Sequence, residues 1–255
     1  MPTAAENPFY RLLYQVGSIG SLTLECIRDV FRRPFEFRLL MEQLDDIGWG
    51  SLNVINLTAI FSGMVLALQM GEFLGRFGAK IYVSRIMGIS MLREMGPVLT
   101  ALMIGARVGA GITAEIGTMA VTEQIDALRA LAVSPIKRLV VPRLIATIVM
   151  LPMLTIVADV VGLVGGLMIS VVELGLSAEF FYTSLLRALT VKDVVGGLAK
   201  AAVFGYLIAI IACAKGLGTR GGADGVGQAT TSTVVAASIS VLVADFFVTK
   251  LLLSV

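Results

Sequence analysis

The sequence predicts an all-α integral membrane protein with five transmembrane helices that follow amphipathic, interfacial helices. Of its 255 residues, 57% are hydrophobic and only 15% are charged, and its mean hydropathy is +0.91. Soluble domains are about half apolar and about a quarter charged, so this composition is typical of a chain that crosses a bilayer. Five apolar segments, numbered here as spans 1 to 5, lie at 47–71, 88–115, 144–172, 194–214 and 226–249.

Span 1 has the clearest membrane signature of the five. Residues 47–71 contain no charged side chain, and as a helix they would extend for about 37 Å, more than the hydrocarbon core of about 30 Å. Residues 1–46, by contrast, mix apolar and charged side chains and are interrupted by Pro34. That pattern favours helices lying at the membrane surface. We therefore divide the chain into an interfacial region, 1–46, and a five-span domain, 47–255.

The distribution of positive charge predicts the orientation in the membrane. Five spans place the two termini on opposite sides. If the N-terminus is cytoplasmic, the cytoplasmic segments carry 11 Lys and Arg residues and the opposite side carries 6. The positive-inside rule therefore favours a cytoplasmic N-terminus and a C-terminus on the other side.

The composition also argues against several classes of function. The chain has no histidine and a net charge of only +2, so histidine metal sites, His-based nucleophile pairs and nucleic-acid binding are not expected. Cys26 and Cys213 are too far apart in sequence for a CxxC motif. The glycine-rich loop 216–231 lacks the Walker A order. We expect no enzyme activity and no cofactor in this chain, so any ATP-driven transport would need a separate ATPase.

Two opposite charges interrupt span 2 beside a helix-weakening pair. Arg93 and Glu94 are adjacent, so their side chains point about 100° apart on a helix and cannot simply pair with each other. Pro97, which follows Gly96, has no N–H and leaves the carbonyl of Arg93 without its helical donor. These features predict a polar pocket near the outer end of span 2, where Arg93 could grip a phosphate or carboxylate. A structural ion-pair network, for example Glu94 with Lys200, explains the charges equally well.

The remaining intramembrane charges allow two interpretations. Arg107 and Glu115 lie in span 2, and Asp159 and Asp245 are single acids in spans 3 and 5. A proton relay is conceivable, but internal pairing or helix-end snorkelling is favoured. The polar row 228–233 at the start of span 5 is expected to form interhelical hydrogen bonds.

Between spans 2 and 3 the sequence predicts a short amphipathic helix at about 122–133. Thr122 is a candidate N-cap, and an apolar stripe recurs at three-residue spacing before Pro135 ends the helix. The stripe consists of Ile125, Leu128 and Leu131. The helix could insert into a groove on a cytosolic partner or lie on the bilayer surface, and the pattern does not separate these alternatives.

A long central stretch resembles a known family. Residues 92–143 read LREMGPVLTALMIGARVGAGITAEIGTMAVTEQIDALRALAVSPIKRLVVPR and closely resemble the signature region of the MlaE (YrbE) family. The match extends to GMVLALQ at 63–69 and to GVGQATTSTVV at 225–235, with Asp245. Members are permease subunits of ABC transporters that move phospholipid across the Gram-negative envelope.

The resemblance implies an assembly and a location. The permease would be a homodimer in the Gram-negative inner membrane, each chain having an elbow helix and five spans. A cytosolic MlaF-like ATPase, which binds ATP and Mg, would dock on the helix at 122–133. A periplasmic MlaD-like MCE hexamer would continue the lipid path, and an MlaB-like STAS protein would bind the ATPase. Such a complex would maintain outer-membrane lipid asymmetry by passing phospholipid between the dimer cavity and the MCE protein.

The resemblance also assigns roles to individual residues. The expected lipid-binding residues are Arg93, Glu94, Pro97, Gln69, Phe77 and Lys200. The expected ATPase-coupling residues are Glu123, Gln124, Asp126, Leu128 and Arg129. Phe77 lies where some members have tyrosine, and Ser134 replaces the Asp or Asn that is common before the proline.

Two alternative functions stay open at this level. One is an ABC permease for a sterol or another apolar lipid. The other is an ion-coupled secondary transporter that uses Glu115, Asp159 and Asp245 and needs no ATPase. Such transporters commonly contain internal repeats, which this sequence does not show.

Overall fold

The computed structural model describes residues 8–30 and 37–254, and within them the chain is helical without any strand. The helices are α1 (Pro8–Val30), α2 (Phe37–Gly75), α3 (Lys80–Val121), α4 (Gln124–Ala130), α5 (Ile136–Val172), α6 (Ala178–Ala188), α7 (Val191–Leu217) and α8 (Gly222–Ser254). This confirms the predicted all-α class.

Five of these helices, α2, α3, α5, α7 and α8, are long and apolar enough to cross a membrane, which confirms the five predicted spans. Their ends lie beyond the predicted limits. α2 begins at Phe37 and continues through residue 46, where the sequence division was drawn. α3 begins at Lys80, ahead of the predicted start of span 2. Apolar stretches mark only the part in hydrocarbon, whereas helices continue into the polar interface.

α3 is irregular at the point where the sequence predicts a weak helix. A π-helical turn occupies Met91–Met95, immediately before Gly96 and Pro97, and a second one occupies Gly105–Gly109. The helix resumes at Gly96, so the predicted breakpoint takes the form of a wide turn. Such π-bulges are frequent at functional sites.

The chain groups into two compact units, and unit 1 comprises the described parts of residues 1–44, 105–147 and 206–239. The core of unit 1 contains hydrogen-bonded polar side chains as well as apolar ones. Thr113 Oγ1 lies 2.9 Å from Thr233 Oγ1 and 3.1 Å from the carbonyl of Ala212, and both threonines are buried. Thr233 therefore confirms the interhelical hydrogen bonding expected of the polar row at 228–233.

Unit 2 comprises residues 45–104, 148–205 and the described part of 240–255. Helices approach closely here at glycines: a Cβ on Gly63 would overlap the carbonyl of Gly162, and one on Gly197 would overlap the carbonyl of Leu92. Small residues therefore allow close helix packing within a single chain. A separate apolar cluster is formed by Ala67, Met87, Phe181 and Leu185.

The predicted helix at 122–133 is shorter in the structure, because α4 covers only Gln124–Ala130. The prediction that Thr122 caps it is wrong: its hydroxyl donates to the carbonyl of Thr118, 2.7 Å away, in the last turn of α3. The cap position is occupied by Glu123, which has a left-handed φ of 61° and makes no side-chain cap bond. Ala132 beyond the helix also has a left-handed φ, 58°. Both ends of α4 are therefore fixed by strained, non-glycine turns.

Candidate functional site

The site begins at the π-helical turn of α3. Pro97 has no N–H to offer the carbonyl of Arg93, and the ammonium of Lys200 on α7 takes this role at 2.9 Å. The carbonyl that the sequence predicts to be unsatisfied is thus bound by a side chain from another helix.

Lys200 forms the centre of the charge network. Its Nζ lies 2.7 Å from Glu94 Oε2 and 3.1 Å from Asp245 Oδ1, and the side chain is only 2% exposed. The ammonium donates hydrogen bonds to the carbonyl of Arg93 and to Glu94, and its contact with Asp245 is an ion pair without a hydrogen bond. The structure confirms the Glu94–Lys200 pair, and it shows that the Lys200 ammonium is bound by other groups of the protein.

Arg93 has a partner that the sequence analysis missed. Its Nε and Nη2 contact Oδ1 of Asp193. Asp193 is buried, with 2% of its side chain exposed, whereas Arg93 is 44% exposed. Arg93 is therefore anchored at one edge and open at the other.

Asp193 is held by the start of α7. Its Oδ2 accepts hydrogen bonds from the backbone N–H and the hydroxyl of Thr190, both at 2.8 Å. This is the reciprocal half of a capping box, for which the Thr-x-x-Asp pattern at 190–193 was the sequence signal. Asp193 lies one residue outside the predicted span 4, which begins at 194, because a charged residue ends an apolar segment.

These residues border a cavity of about 520 Å³, which we call the charged pocket. Its lining consists of Arg93, Glu94, Val191, Lys192, Asp193, Val195, Gly196, Gly197, Ala199, Lys200, Thr249 and Leu252. Ionised groups form one part of the wall, and aliphatic side chains and glycines form most of the rest. The pocket therefore suits an amphiphilic ligand, which has a charged group at one end and an apolar chain at the other.

Three other predicted lipid-binding residues do not line the charged pocket. Pro97 is buried and packs near Gly197. Gln69 is exposed, and Phe77 is 72% exposed and stacks edge-on against Phe73. The lipid-binding role of Gln69 and Phe77, which was predicted for a cavity between two copies of the chain, stays a prediction.

The predicted coupling residues are grouped on and around α4. Glu123, Gln124, Asp126 and Arg129 are exposed, and Leu128 is half-buried. Asp126 and Arg129 form an ion pair with a 2.8 Å contact. The predicted apolar stripe is divided: Ile125 is buried, whereas Leu131 is 73% exposed.

The other intramembrane acids are mostly paired within the chain. Glu115 contacts Arg143 at 2.6 Å, and Asp245 contacts Lys200. Internal pairing, the favoured interpretation, is confirmed for these two. Asp159 differs, because its Oδ1 packs on the backbone of Gly96 and is buried without a hydrogen bond from the described residues. A Cβ at position 96 would overlap this oxygen.

Five membrane-spanning helices and an amphiphilic pocket define a multi-pass α-helical membrane protein. Its family follows from comparison with known proteins: the model of the family Permease MlaE matches residues 40–251. The chain belongs to the MlaE permease family.

Relatives from distant organisms are similar over most of the chain. A probable ABC transporter permease protein of Rickettsia bellii is 44% identical over 245 residues, which cover 96% of this chain and 95% of the relative. The intermembrane phospholipid transport system permease protein MlaE of Haemophilus influenzae is 37% identical over 217 residues, 85% of this chain and 83% of the relative. The chloroplastic protein TRIGALACTOSYLDIACYLGLYCEROL 1 of Arabidopsis thaliana is 34% identical, over 95% of this chain and 71% of its own length.

Proposed function

We propose that this chain is the membrane subunit of an ATP-driven phospholipid transporter. Two copies hold the lipid in a cavity, and a separate subunit hydrolyses ATP. The observation that carries the proposal is the charged pocket, in which the exposed edge of Arg93 adjoins an aliphatic wall. The relative from Haemophilus influenzae is named as a permease of an intermembrane phospholipid transport system, which supports the same cargo.

The chemistry of the pocket fits a phosphate headgroup. A guanidinium has five N–H donors in a planar fork, and Asp193 engages only one edge of it. The outer edge can donate to phosphate oxygens, while acyl chains extend along Val195 and Leu252. A volume of about 520 Å³ falls within the range of about 300–1,000 Å³ usual for small-molecule pockets, so the chains would extend beyond it.

The same assignment gives the other parts of the chain a role in the assembly. α4 would dock an MlaF-like ATPase, which binds ATP and Mg and could carry an MlaB-like STAS protein. An MlaD-like MCE hexamer would receive or deliver lipid on the periplasmic side. We place the protein in the inner membrane with its N-terminus in the cytoplasm, and residues 1–46 at the interface. In support, α1 exposes Leu24 and Ile27, at 70% and 55%.

The pocket favours a phospholipid over the alternative cargo of a sterol. Arg93 and Glu94 are partly exposed at the pocket, and a ligand with a single hydroxyl would leave at least one of these charges without a ligand partner. The pairing of Glu115 and Asp245 with cations of the chain likewise gives no support to an ion-coupled secondary transporter.

Mass spectrometry of the lipids that co-purify with the complex tests the proposal. We expect phospholipid bound to the permease, together with an ATPase subunit. Arg93→Ala should reduce retained phospholipid and lipid transfer about tenfold, the value of one charge-assisted contact, while ATPase docking persists. Arg76→Ala is the matched control, because Arg76 pairs with Glu72 on an exposed surface. Recovery of a sterol, or normal transfer by the Arg93 variant, would contradict the proposal.

A further inference from the structure

Arg93 and Glu94 in the charged pocket each have one part of the ionic group bound by the protein and another part open to a ligand. Nε and Nη2 of Arg93 contact Asp193, whereas its Nη1 makes no hydrogen bond to any residue in the described part of the chain. The side chain is 44% exposed and lines the charged pocket, so a ligand there can reach the guanidinium. Asp193 thus fixes the position of the guanidinium, and the opposite edge can bind a ligand.

Only one of the two carboxylate oxygens of Glu94 has a strong hydrogen-bond donor. Its Oε2 binds Lys200 at 2.7 Å. The nearest donor to Oε1 is the Thr249 hydroxyl at 3.5 Å, but the one hydrogen of that hydroxyl points to the carbonyl of Asp245 at 2.7 Å. Oε1 therefore lacks a strong donor, although the side chain is 40% exposed at the pocket. A carboxylate oxygen in this state selects for a ligand that donates hydrogen bonds.

The charges on the two sides of the pocket also favour a ligand that carries both a positive and a negative group. Lys200 lies between two acids, Glu94 and Asp245, so one negative charge remains on that side of the pocket. On the other side, Asp193 balances Arg93, and Lys192 adds an exposed positive charge. A headgroup with only a phosphate would meet the remaining acid unfavourably, whereas one with both signs of charge would satisfy both sides.

We propose that the charged pocket selects a zwitterionic phospholipid with a primary ammonium, that is, an ethanolamine-type headgroup. The ammonium donates to Glu94 Oε1, and the phosphate accepts from Arg93 Nη1 and Lys192. This inference rests on the proposed function and adds the headgroup class. A quaternary ammonium is disfavoured, because it has no N–H to donate and is usually held by aromatic rings, and none of the lining residues is aromatic.

Competition among defined lipids tests the headgroup preference. The purified complex is equilibrated with vesicles that contain equal amounts of phosphatidylethanolamine, phosphatidylcholine and phosphatidylglycerol, and the retained lipids are quantified by mass spectrometry. We expect phosphatidylethanolamine to exceed each of the others about tenfold, the worth of one charge-assisted hydrogen bond. Equal retention of the three would overturn the headgroup inference and leave the proposed function standing. Retention of no phospholipid at all would overturn both.

A variant and a lipid series assign the preference to Glu94. In the phospholipid that each variant retains, Glu94→Gln should lose the preference for ethanolamine over glycerol headgroups, whereas Glu72→Gln, on an exposed surface, should keep it. A preference unchanged in Glu94→Gln would show that Glu94 does not recognise the ammonium. In the unmodified protein, adding one, two and three methyl groups to the ethanolamine nitrogen should weaken retention stepwise. Retention that is independent of methylation would overturn the inference even if the variant failed to assemble.

Discussion

Lys200 donates a hydrogen bond of 2.9 Å to the backbone carbonyl of Arg93. The interaction joins two features that look unrelated in sequence: a proline that removes a helical donor and a lysine buried in another membrane helix. The same ammonium holds Glu94 and Asp245. One side chain thus completes the backbone of α3 and fixes the acid beside Arg93, so the geometry of the pocket depends on α7.

Lys200→Met should destabilise the protein severely. The change leaves Glu94 and Asp245 without their shared cation and the carbonyl of Arg93 without a donor, and breaking a buried ion pair costs about 3–5 kcal/mol. Thermal unfolding of the detergent-solubilised protein, followed by size-exclusion chromatography, measures the loss. Lys250→Met, at an exposed position near the end of α8, is the matched control. Equal stability of the two variants would contradict the central role of Lys200.

Asp193→Asn and Asp193→Ala should differ in stability. Asparagine keeps an oxygen that can accept from the Thr190 N–H, whereas alanine removes the cap as well as the charge. We expect alanine to cost about 1 kcal/mol more than asparagine, the usual value of a helix cap. Denaturation of the two variants under the same conditions provides the comparison, and an alanine variant as stable as the asparagine one would rule out the capping box.

Ala132→Gly and Ala130→Gly should have opposite effects on the segment around α4. Ala132 has a left-handed φ of 58°, which costs an L-residue about 1–2 kcal/mol and glycine very little. Ala130 is the last residue of α4, where glycine lowers helix stability by up to about 1 kcal/mol. Hydrogen exchange of the amides at 124–132 should therefore slow in the first variant relative to the second. The reverse order would show that the left-handed turn is not strained.

Cys26 should resist thiol reagents in the native protein. Its side chain is fully buried, and burial, together with the nearby Asp29 and Glu25, raises the pKa of the thiol to about 11. Because the thiolate is the reactive form, the native thiol stays protonated and unreactive at pH 7. Peptide mass spectrometry after maleimide treatment measures labelling with and without denaturant. A cysteine at the nearby exposed polar position, Arg28→Cys in a Cys26→Ala background, should label rapidly; fast labelling of native Cys26 would contradict its burial.

The parts of the molecule that the sequence predicts correctly have strong, repeated signals. Long apolar segments identify all five spans, and an intramembrane pair of charges beside Gly96 and Pro97 locates the pocket. The Glu94–Lys200 contact was a named alternative, because a buried acid in lipid needs a cation and few are present within the spans.

The predictions fail where a polar side chain can bond in more than one way that the local sequence does not distinguish. Thr122 has the composition of an N-cap, but α3 continues to Val121, so its hydroxyl bonds backward to Thr118. Asp193 looks like a loop residue because hydropathy ends a span at a charge, although Thr190 and Asp193 together carry the signature of a helix start. Distances between helices were not accessible from spacing, so the pairing of Arg93 with Asp193 was not foreseen.

The double engagement of Asp193 ties the position of Arg93 in the charged pocket to the integrity of a helix end. One oxygen of its carboxylate secures the opening turn of α7, and the other steadies the guanidinium of Arg93. Fraying of that turn would therefore release the arginine at the same moment, so a small unwinding at the tip of one helix is sufficient to loosen one wall of the charged pocket.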